Sequence, residues 1–209
     1  MLKNEQRKKI ILIGGGGHCK SCIDVIEQEG SFIIVGITDQ ADKIGESILS
    51  YSILSDDDAI HKLAAEHQFL ITIGHIRSAE PRVRLYKALL AANGDLVTVI
   101  SPRAYVSPHA ETGKGTIVMH GATVNAGAKI GNNCIINSHA LVEHDAMISD
   151  HCHIATGAII NGGVQVGAQT FVGSRAMTRE YITIGAGSFI AGGMSVYQDL
   201  REQSRVKPK

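Results

Sequence analysis

From Val106 to Arg201 the chain repeats every six residues without a break. The first place of each hexad is Val106, Thr112, Val118, Val124, Ile130, Ile136, Val142, Ile148, Ile154, Ile160, Val166, Val172, Thr178, Ile184, Ile190 and Val196. Only two of these sixteen are not Val or Ile. Four places on, the residue is usually small, as in Ala110, Thr116, Ala122, Ala128, Cys134, Ala140, Ala146, Cys152 and Ala158. Glycine recurs at the second place, as in Gly131, Gly167, Gly173 and Gly185. A six-residue period fits neither a helix nor a hairpin strand. It is the signature of a parallel β-helix. Strand side chains alternate, so the branched residue and the small one two places before it point inward. Glycines and polar residues are expected at the corners, where turns need permissive backbones. Three hexads close one triangular coil, so the repeat predicts a little over five coils and a prism on the order of 25 Å long.

Length and charge exclude more than they indicate. A chain of 209 residues holds one large or two small domains. Twenty basic and twenty acidic residues leave no net charge. No basic tract points to nucleic acid or an anionic membrane surface. No apolar run reaches the length of a membrane span. The polar start MLKNEQRKKI leads straight into a strand, so no signal peptide is expected and the cytoplasm is the default compartment.

Four cysteines agree with that default. Cys134 and Cys152 are eighteen apart at the inward small place and should stack as buried thiols. Cys19 and Cys22 form C-x-x-C on a predicted helix, with no second pair to complete a zinc site.

Residues 1–100 follow a different pattern and predict a separate domain, with 101–209 as the prism. Lys9 to Ile13 reads as an apolar strand running into Gly14-Gly15-Gly16-Gly17-His18, then a helix from Cys19 to Glu29. A strand over 32–37, a helix over 56–67 capped by Asp56, a strand over 69–73, a helix over 79–93 and a strand over 96–100 complete the pattern. Such alternation predicts a small Rossmann-like parallel sheet of about four strands. The Gly-rich turn stands between strand and helix, where backbone N–H groups favour a phosphate. Cys19 replaces the third glycine of G-x-G-x-x-G, so a mononucleotide fits better than a dinucleotide. Asp39 ends the second strand, where an acid can hold a ribose hydroxyl. His18 and Lys20 add donors suited to a diphosphate.

A Gly-rich turn, a short α/β domain and a hexapeptide prism carrying Asn137, Glu143-His144-Asp145 and His153 resemble the sugar-nucleotide acetyltransferases of the PglD/NeuD family. The resemblance covers nearly the whole chain. It implies a left-handed prism, against the usual crossover rule, and acetyl transfer from acetyl-CoA with no metal. The implied acceptor is the 4-amino group of a nucleotide-linked, UDP-type 4-amino-4,6-dideoxyhexose for a bacterial surface glycan. The alternative acceptor is a sialic-acid hydroxyl. By similarity His144 matches the base and Asp145 the acid beside it. Gly16, Gly17, His18, Asp39, Gly74 and Arg77 match sugar-nucleotide contacts. His153, Gly162, Ser174 and Gly192 match positions near the CoA, with Asn137 beside them. The chain departs from the family at its end, SRVKPK, where relatives carry a glycine–x–Pro-Ala-Lys tail.

The chemistry asks for these residue types. An alkyl amine must lose a proton before it attacks a thioester, and histidine titrates in the right range to take it. A carboxylate beside the ring fixes its tautomer, and Asp145 or Glu143 is placed for that. The thioester oxygen gains charge and needs a donor. Gly162 lies one coil above His144, so its N–H is a candidate. His144 is at a corner, whereas His153, nine residues on, points out from a face on the opposite side of the prism. If both serve one site, that site lies between chains, as in a cyclic homotrimer. Two other classes fit parts of the pattern. A zinc enzyme like the γ-type carbonic anhydrases would use His120, His139 and His144. A non-catalytic nucleotide-sugar sensor would leave the His–Asp pair without a task.

Overall fold

The computed structural model describes residues 7–208. The polar N-terminal residues 1–6 and the last residue of the atypical tail lie outside the described residues. The chain divides into two compact units. The first runs to Gly74 and resumes over Glu80–Val99. The second takes His75–Ala79 together with the chain from Ile100 onward.

The first unit is a sheet built on β1 (Lys8–Ile13), flanked by β2 (Phe32–Asp39) and β5 (Gln68–Ile71). Ile10 to Ile13 are wholly buried, as a central parallel strand requires. The sheet has six strands in the order β3-β4-β2-β1-β5-β6, not four. The extra pair is β3 (Ser47–Ile48) and β4 (Tyr51–Asp56), joined antiparallel. β4 pairs parallel with β2, and β6 (Asp95–Leu96) with β5. Helix α1 spans Gly17–Glu29 and ends at Gly30, which adopts φ 79° and donates its N–H to the Ile26 carbonyl.

The expected helix over 56–67 shrinks to a single 3₁₀ turn, Asp57–Ala59, followed by α2 (Ile60–Leu63). Asp56 remains the end of β4 and makes no side-chain cap. Asp57 instead accepts from the Thr38 hydroxyl at 3.0 Å. Helix α3 (Glu80–Ala91) carries a buried arginine, Arg82. Its Nη1 donates to the carbonyls of Ile71 (2.8 Å) and Ile73 (2.7 Å), so the exit from β5 is tied to α3. Among the described residues no helix is long and apolar enough to cross a membrane.

The second unit is a left-handed parallel β-helix of two-residue strands. Each strand pairs with the one eighteen residues on, as in Ile117, Ile135, His153, Phe171 and Phe189. The three faces hold seven, six and five strands. Val99–Ile100, expected to close the first sheet, is instead the first rung of the seven-stranded face. The repeat also slips at its far end. Ile184 bridges Leu200, and Ile190 pairs with Val206, so the last coil is two residues short.

The core is the expected ladder of branched and small residues, with Cys134 and Cys152 stacked in it as buried free thiols. The corners differ from expectation in one respect. From Gly115 to Gly193 every sixth residue adopts a left-handed conformation, with φ between 52° and 77°. That place is the fourth of the hexad and holds Asn133, His139, Asp145 and His151 as well as glycines. The second-place glycines have ordinary φ. A Cβ on Gly167 or Gly173 would lie 2.4 Å from a backbone nitrogen of the next coil. Those glycines let successive coils stack; they do not relax a turn.

Candidate active site

His144 stands at the corner between the six-stranded and five-stranded faces, one residue before a left-handed corner position. Its Nδ1 lies 2.9 Å from Oδ2 of Asp145. A carboxylate only accepts, so Nδ1 carries a proton, and in the neutral ring Nε2 is the nitrogen with the lone pair. Asp145 adopts φ 59°, which turns its short side chain back onto the ring. Glu143 is otherwise engaged: its Oε2 accepts from Asn125 Nδ2 (2.8 Å) and from the His144 backbone N–H (3.3 Å). Gly162 lies directly over the ring, and the next residue, Gly163, donates its N–H to the His144 carbonyl at 2.9 Å. The His144 and Asp145 side chains remain 54% and 69% exposed, so the imidazole is open to an incoming acceptor.

Ser174 and Gly192 meet at a second corner, at the other edge of the six-stranded face. Both are exposed, and the N–H of Gly193 donates to the Ser174 carbonyl at 2.8 Å. Asn137 opens the same corner two coils below, with its Oδ1 accepting from the Ser138 N–H at 2.7 Å. His153 departs from expectation. It does lie on a different face from the His144 corner, but its side chain is covered, with the residue 7% exposed. Its Nδ1 lies 2.6 Å from the His75 carbonyl, and its ring meets Phe171 edge-on at 5.2 Å. Asn137 Nδ2 approaches its Nε2 at 3.1 Å. The cover is the segment 75–79, which the sequence places in the first domain and the fold packs against the second.

In the first unit the four glycines of the turn divide into two pairs. Gly14 has φ 101°, and a Cβ there would lie 2.2 Å from Ile73 Cγ1. A Cβ on Gly15 would lie 3.1–3.3 Å from side-chain atoms of Ile48, Asp39 and Ile53. These two are constrained by the fold, Gly14 by its φ and Gly15 by close side chains. Gly16 and Gly17 are not: neither has positive φ, and a Cβ on either would meet nothing within 4 Å. They open α1 beside free space, with exposed Lys20 on its first turn and His18 so placed that a Cβ on Gly74 would lie 3.5 Å from its own Cβ. Such a cradle suits close approach by a phosphate.

Asp39 is less available than expected. It accepts from the Gly15 N–H (2.7 Å), the Gln40 N–H (2.7 Å) and Lys43 Nζ (3.0 Å), and so staples the turn. Burial pushes its carboxyl up, but these donors prevail and hold it below the usual carboxylate range. A crevice of about 470 Å³ opens beside it at the ends of β2 and β4, lined by Asp57, Arg84 and Leu85 among others. Sequence reading missed this crevice because it missed β4. Arg77 is exposed and belongs with the second unit.

His120 and His139 share the corner that follows the seven-stranded face, while His144 occupies the next corner, so the three rings of the zinc alternative do not converge. His120 Nδ1 is 2.6 Å from the Ser101 hydroxyl. Among the described residues no three His, Cys, Asp or Glu side chains are grouped to hold a metal ion. Burial pushes the Cys19 thiol up to about 11 and the Cys22 thiol further still, so both stay protonated.

A phosphate-type turn on an α/β sheet, joined to a prism with a His–Asp pair at its corner, defines an acyltransferase of the hexapeptide-repeat class. Residues 9–89 match the PglD N-terminal domain, and residues 109–144 match the bacterial transferase hexapeptide of six repeats. Comparison with curated proteins finds no match. Solved structures do match. PerB from Caulobacter crescentus, in complex with CoA and GDP-perosamine, is 32% identical with a TM-score of 0.87, over 94% of this chain and 92% of that one. The acetyltransferase domain of PglB from Neisseria gonorrhoeae, in complex with acetyl coenzyme A, is 26% identical with a TM-score of 0.89, over 95% of each. WeeI from Acinetobacter baumannii, 22% identical with a TM-score of 0.83 over 95% of this chain and 96% of that one, shares the fold. The chain belongs to the PglD/NeuD-like family of sugar acetyltransferases.

Proposed function

We propose that this protein transfers the acetyl group of acetyl-CoA to the amine of a nucleotide-linked amino sugar, with His144 as general base. The carrying observation is the His144–Asp145 pair, which commits one ring nitrogen to the carboxylate and leaves the other as a proton acceptor over Gly162. PglB and PerB, both over 25% identical to this chain, were solved with acetyl coenzyme A and with CoA and GDP-perosamine, respectively. In this reading Nε2 takes a proton as the amine nitrogen bonds to the thioester carbon. The carbon–sulfur bond then breaks, and the imidazolium passes its Nε2 proton to the sulfur, so CoA leaves as the thiol and the ring is neutral again. Asp145 stabilises the imidazolium, and the Gly162 N–H faces the oxyanion.

The Gly16–Gly17 cradle takes the diphosphate of the sugar nucleotide, with His18, Lys20 and Gly74 as further contacts. The acceptor is a 4-amino-4,6-dideoxyhexose, first as its UDP form, for a surface glycan. Acetyl-CoA lies along the corner of Ser174 and Gly192. That corner and the His144 corner bound opposite edges of one face, which supports a site shared between neighbours in a cyclic homotrimer. Four buried free thiols suit the reducing cytoplasm. The test is CoA thiol release over UDP-, GDP- and dTDP-linked 4-amino sugars and their 4-hydroxy counterparts. Turnover confined to an amino sugar supports the reading. Turnover of only the hydroxy sugars, or of none, overturns it.

A further inference from the structure

We infer that Thr178 and Asn161 are positioning residues for the transfer at the His144 corner: their clasp keeps the Gly162 N–H free to face the oxyanion. The inference rests on the function proposed above. It starts from an exception in the repeat. Thr112 and Thr178 are the two first-place residues that are not Val or Ile. Thr112 lies in the first rung of the five-stranded face and is half-buried, whereas Thr178 is wholly buried inside the coil. A hydroxyl in an apolar core needs a partner. The Thr178 hydroxyl accepts from the Asn161 N–H, one coil below, at 3.1 Å.

That bond replaces a rung of the backbone ladder. Elsewhere at this corner the second-place N–H donates to the first-place carbonyl of the next coil. Asn125 donates to Val142 and Glu143 to Ile160, both at 2.9 Å, and Arg179 to Val196 at 2.7 Å. Asn161 gives its N–H to the Thr178 hydroxyl instead, and its Nδ2 donates to the Thr178 carbonyl at 2.7 Å. Strand pairing breaks at the same point. Ile160 pairs with Val142 below and Thr178 with Val196 above, but the two do not pair with each other.

The consequence falls on the next residue. Asn137 holds the same place at another corner, under Ile154, which has no hydroxyl. There the rung is regular, at 2.9 Å, and Asn137 Oδ1 accepts from the Ser138 N–H at 2.7 Å. Asn125 commits its amide to Glu143. Asn161 could cap Gly162 as Asn137 caps Ser138, but the clasp holds its amide on Thr178. The Gly162 N–H has no acceptor among the described residues. It stays open beside the His144 ring, where the thioester oxygen gains charge.

The test uses variants of the full-length protein. Thr178→Val gives position 178 the residue type of its ladder neighbours and removes the hydroxyl. The Asn161 N–H should return to the carbonyl, and the released side chain should cap Gly162. Hydrogen exchange at the Gly162 amide should then slow, with a melting temperature no lower than that of wild type. The kcat for acetyl transfer should fall about tenfold, the effect of one hydrogen bond competing for the donor, with both KM values within about twofold. Thr178→Ser keeps the hydroxyl and should keep most of kcat. Adding Asn161→Ala to Thr178→Val removes the cap and should restore both the exchange rate and most of kcat. A merely structural Thr178 would not be rescued by that second truncation. Unchanged Gly162 exchange in Thr178→Val would overturn the inference. So would a loss of kcat that Asn161→Ala fails to restore. The exchange measurement needs no substrate. Exchange shifts of the expected sign, with no acetyl transfer to any amino sugar, would overturn the reaction proposed above and still support the clasp.

Discussion

A Cβ placed on Gly162 would lie 2.7 Å from both Nε2 and Cε1 of His144. The imidazole therefore occupies the space that any other residue at 162 would need. The glycine is there for the ring, since its own φ is ordinary. Gly162→Ala should push the imidazole aside and lower kcat by about tenfold or more, with the melting temperature nearly unchanged. His144→Ala should lower kcat by roughly 10²–10⁴ in a folded protein, the effect of a lost general base. Steady-state kinetics with a thermal melt checks both. His144→Ala retaining more than about a third of wild-type kcat would remove it from the mechanism.

Asp145 has two tasks that substitution can separate. Its φ of 59° favours Asn as well as Asp, so Asp145→Asn should keep the corner. An amide, however, can present its N–H to Nδ1 and favour the wrong tautomer. We expect kcat to fall by roughly 10² with little change in either KM or in stability. Asp145→Ala should add a loss of stability, because alanine resists that φ. Equal activity of wild type and Asp145→Asn would show that the carboxylate does not set the tautomer.

The β-helix was legible because each hexad states its own geometry, and His144, Asp145 and Gly162 follow from arithmetic on the repeat. Its ends were not legible. Ile100 extends the repeat one hexad towards the N-terminus, but Ser101-Pro102 reads as a boundary. The two-residue slip before Leu200 leaves no mark in the pattern of Val and Ile. In the first unit β4 was missed because Tyr51–Asp56 carries serines at two of its six places and reads as a loop. The helix expected from Asp56 gave way because β4 runs through that residue and Asp57 turns to Thr38. The cover over His153 comes from residues 78 positions away in sequence, a tertiary contact that no local pattern encodes.

The division of the glycines gives a contrast within one turn. Gly14→Ala should destabilise the first unit severely, since its φ is 101° and Ile73 fills the space. Gly16→Ala and Gly17→Ala should leave the melting temperature within a degree or two. Both should weaken nucleotide-sugar binding and spare acetyl-CoA binding. Calorimetry with each ligand checks this. Equal losses for the two ligands would contradict the assignment of the cradle.

Asp39 carries a pH dependence whose sign follows from its donors. Its folded value lies below the ordinary carboxylate value of about 3.9. Its contribution to stability is therefore complete above the unfolded value and disappears as pH falls through the folded one. Asp39→Asn should melt well below wild type at pH 7, and the gap should close as pH falls below about 4. A gap that is constant or widens in acid would mean that the carboxylate charge does not hold the Gly-rich turn.

The shared site is tested by mixing subunits. In the proposed trimer His144 comes from one chain and the Ser174 corner from its neighbour. Ser174 is exposed, so Ser174→Trp should block the corner without unfolding the coil. His144→Ala and Ser174→Trp proteins should each be nearly inactive alone. After dissociation and random reassembly at equal amounts, a site is intact only when its His144 donor is a Ser174→Trp chain and its Ser174 donor is a His144→Ala chain. Each condition holds half the time, so about a quarter of the sites should recover in a closed heterologous ring. Mass spectrometry verifies the exchange, and thiol release counts the recovered sites. Exchange without recovery would mean that a single chain supplies both corners to its own site. Acetyl-CoA would then have to cross the six-stranded face between them.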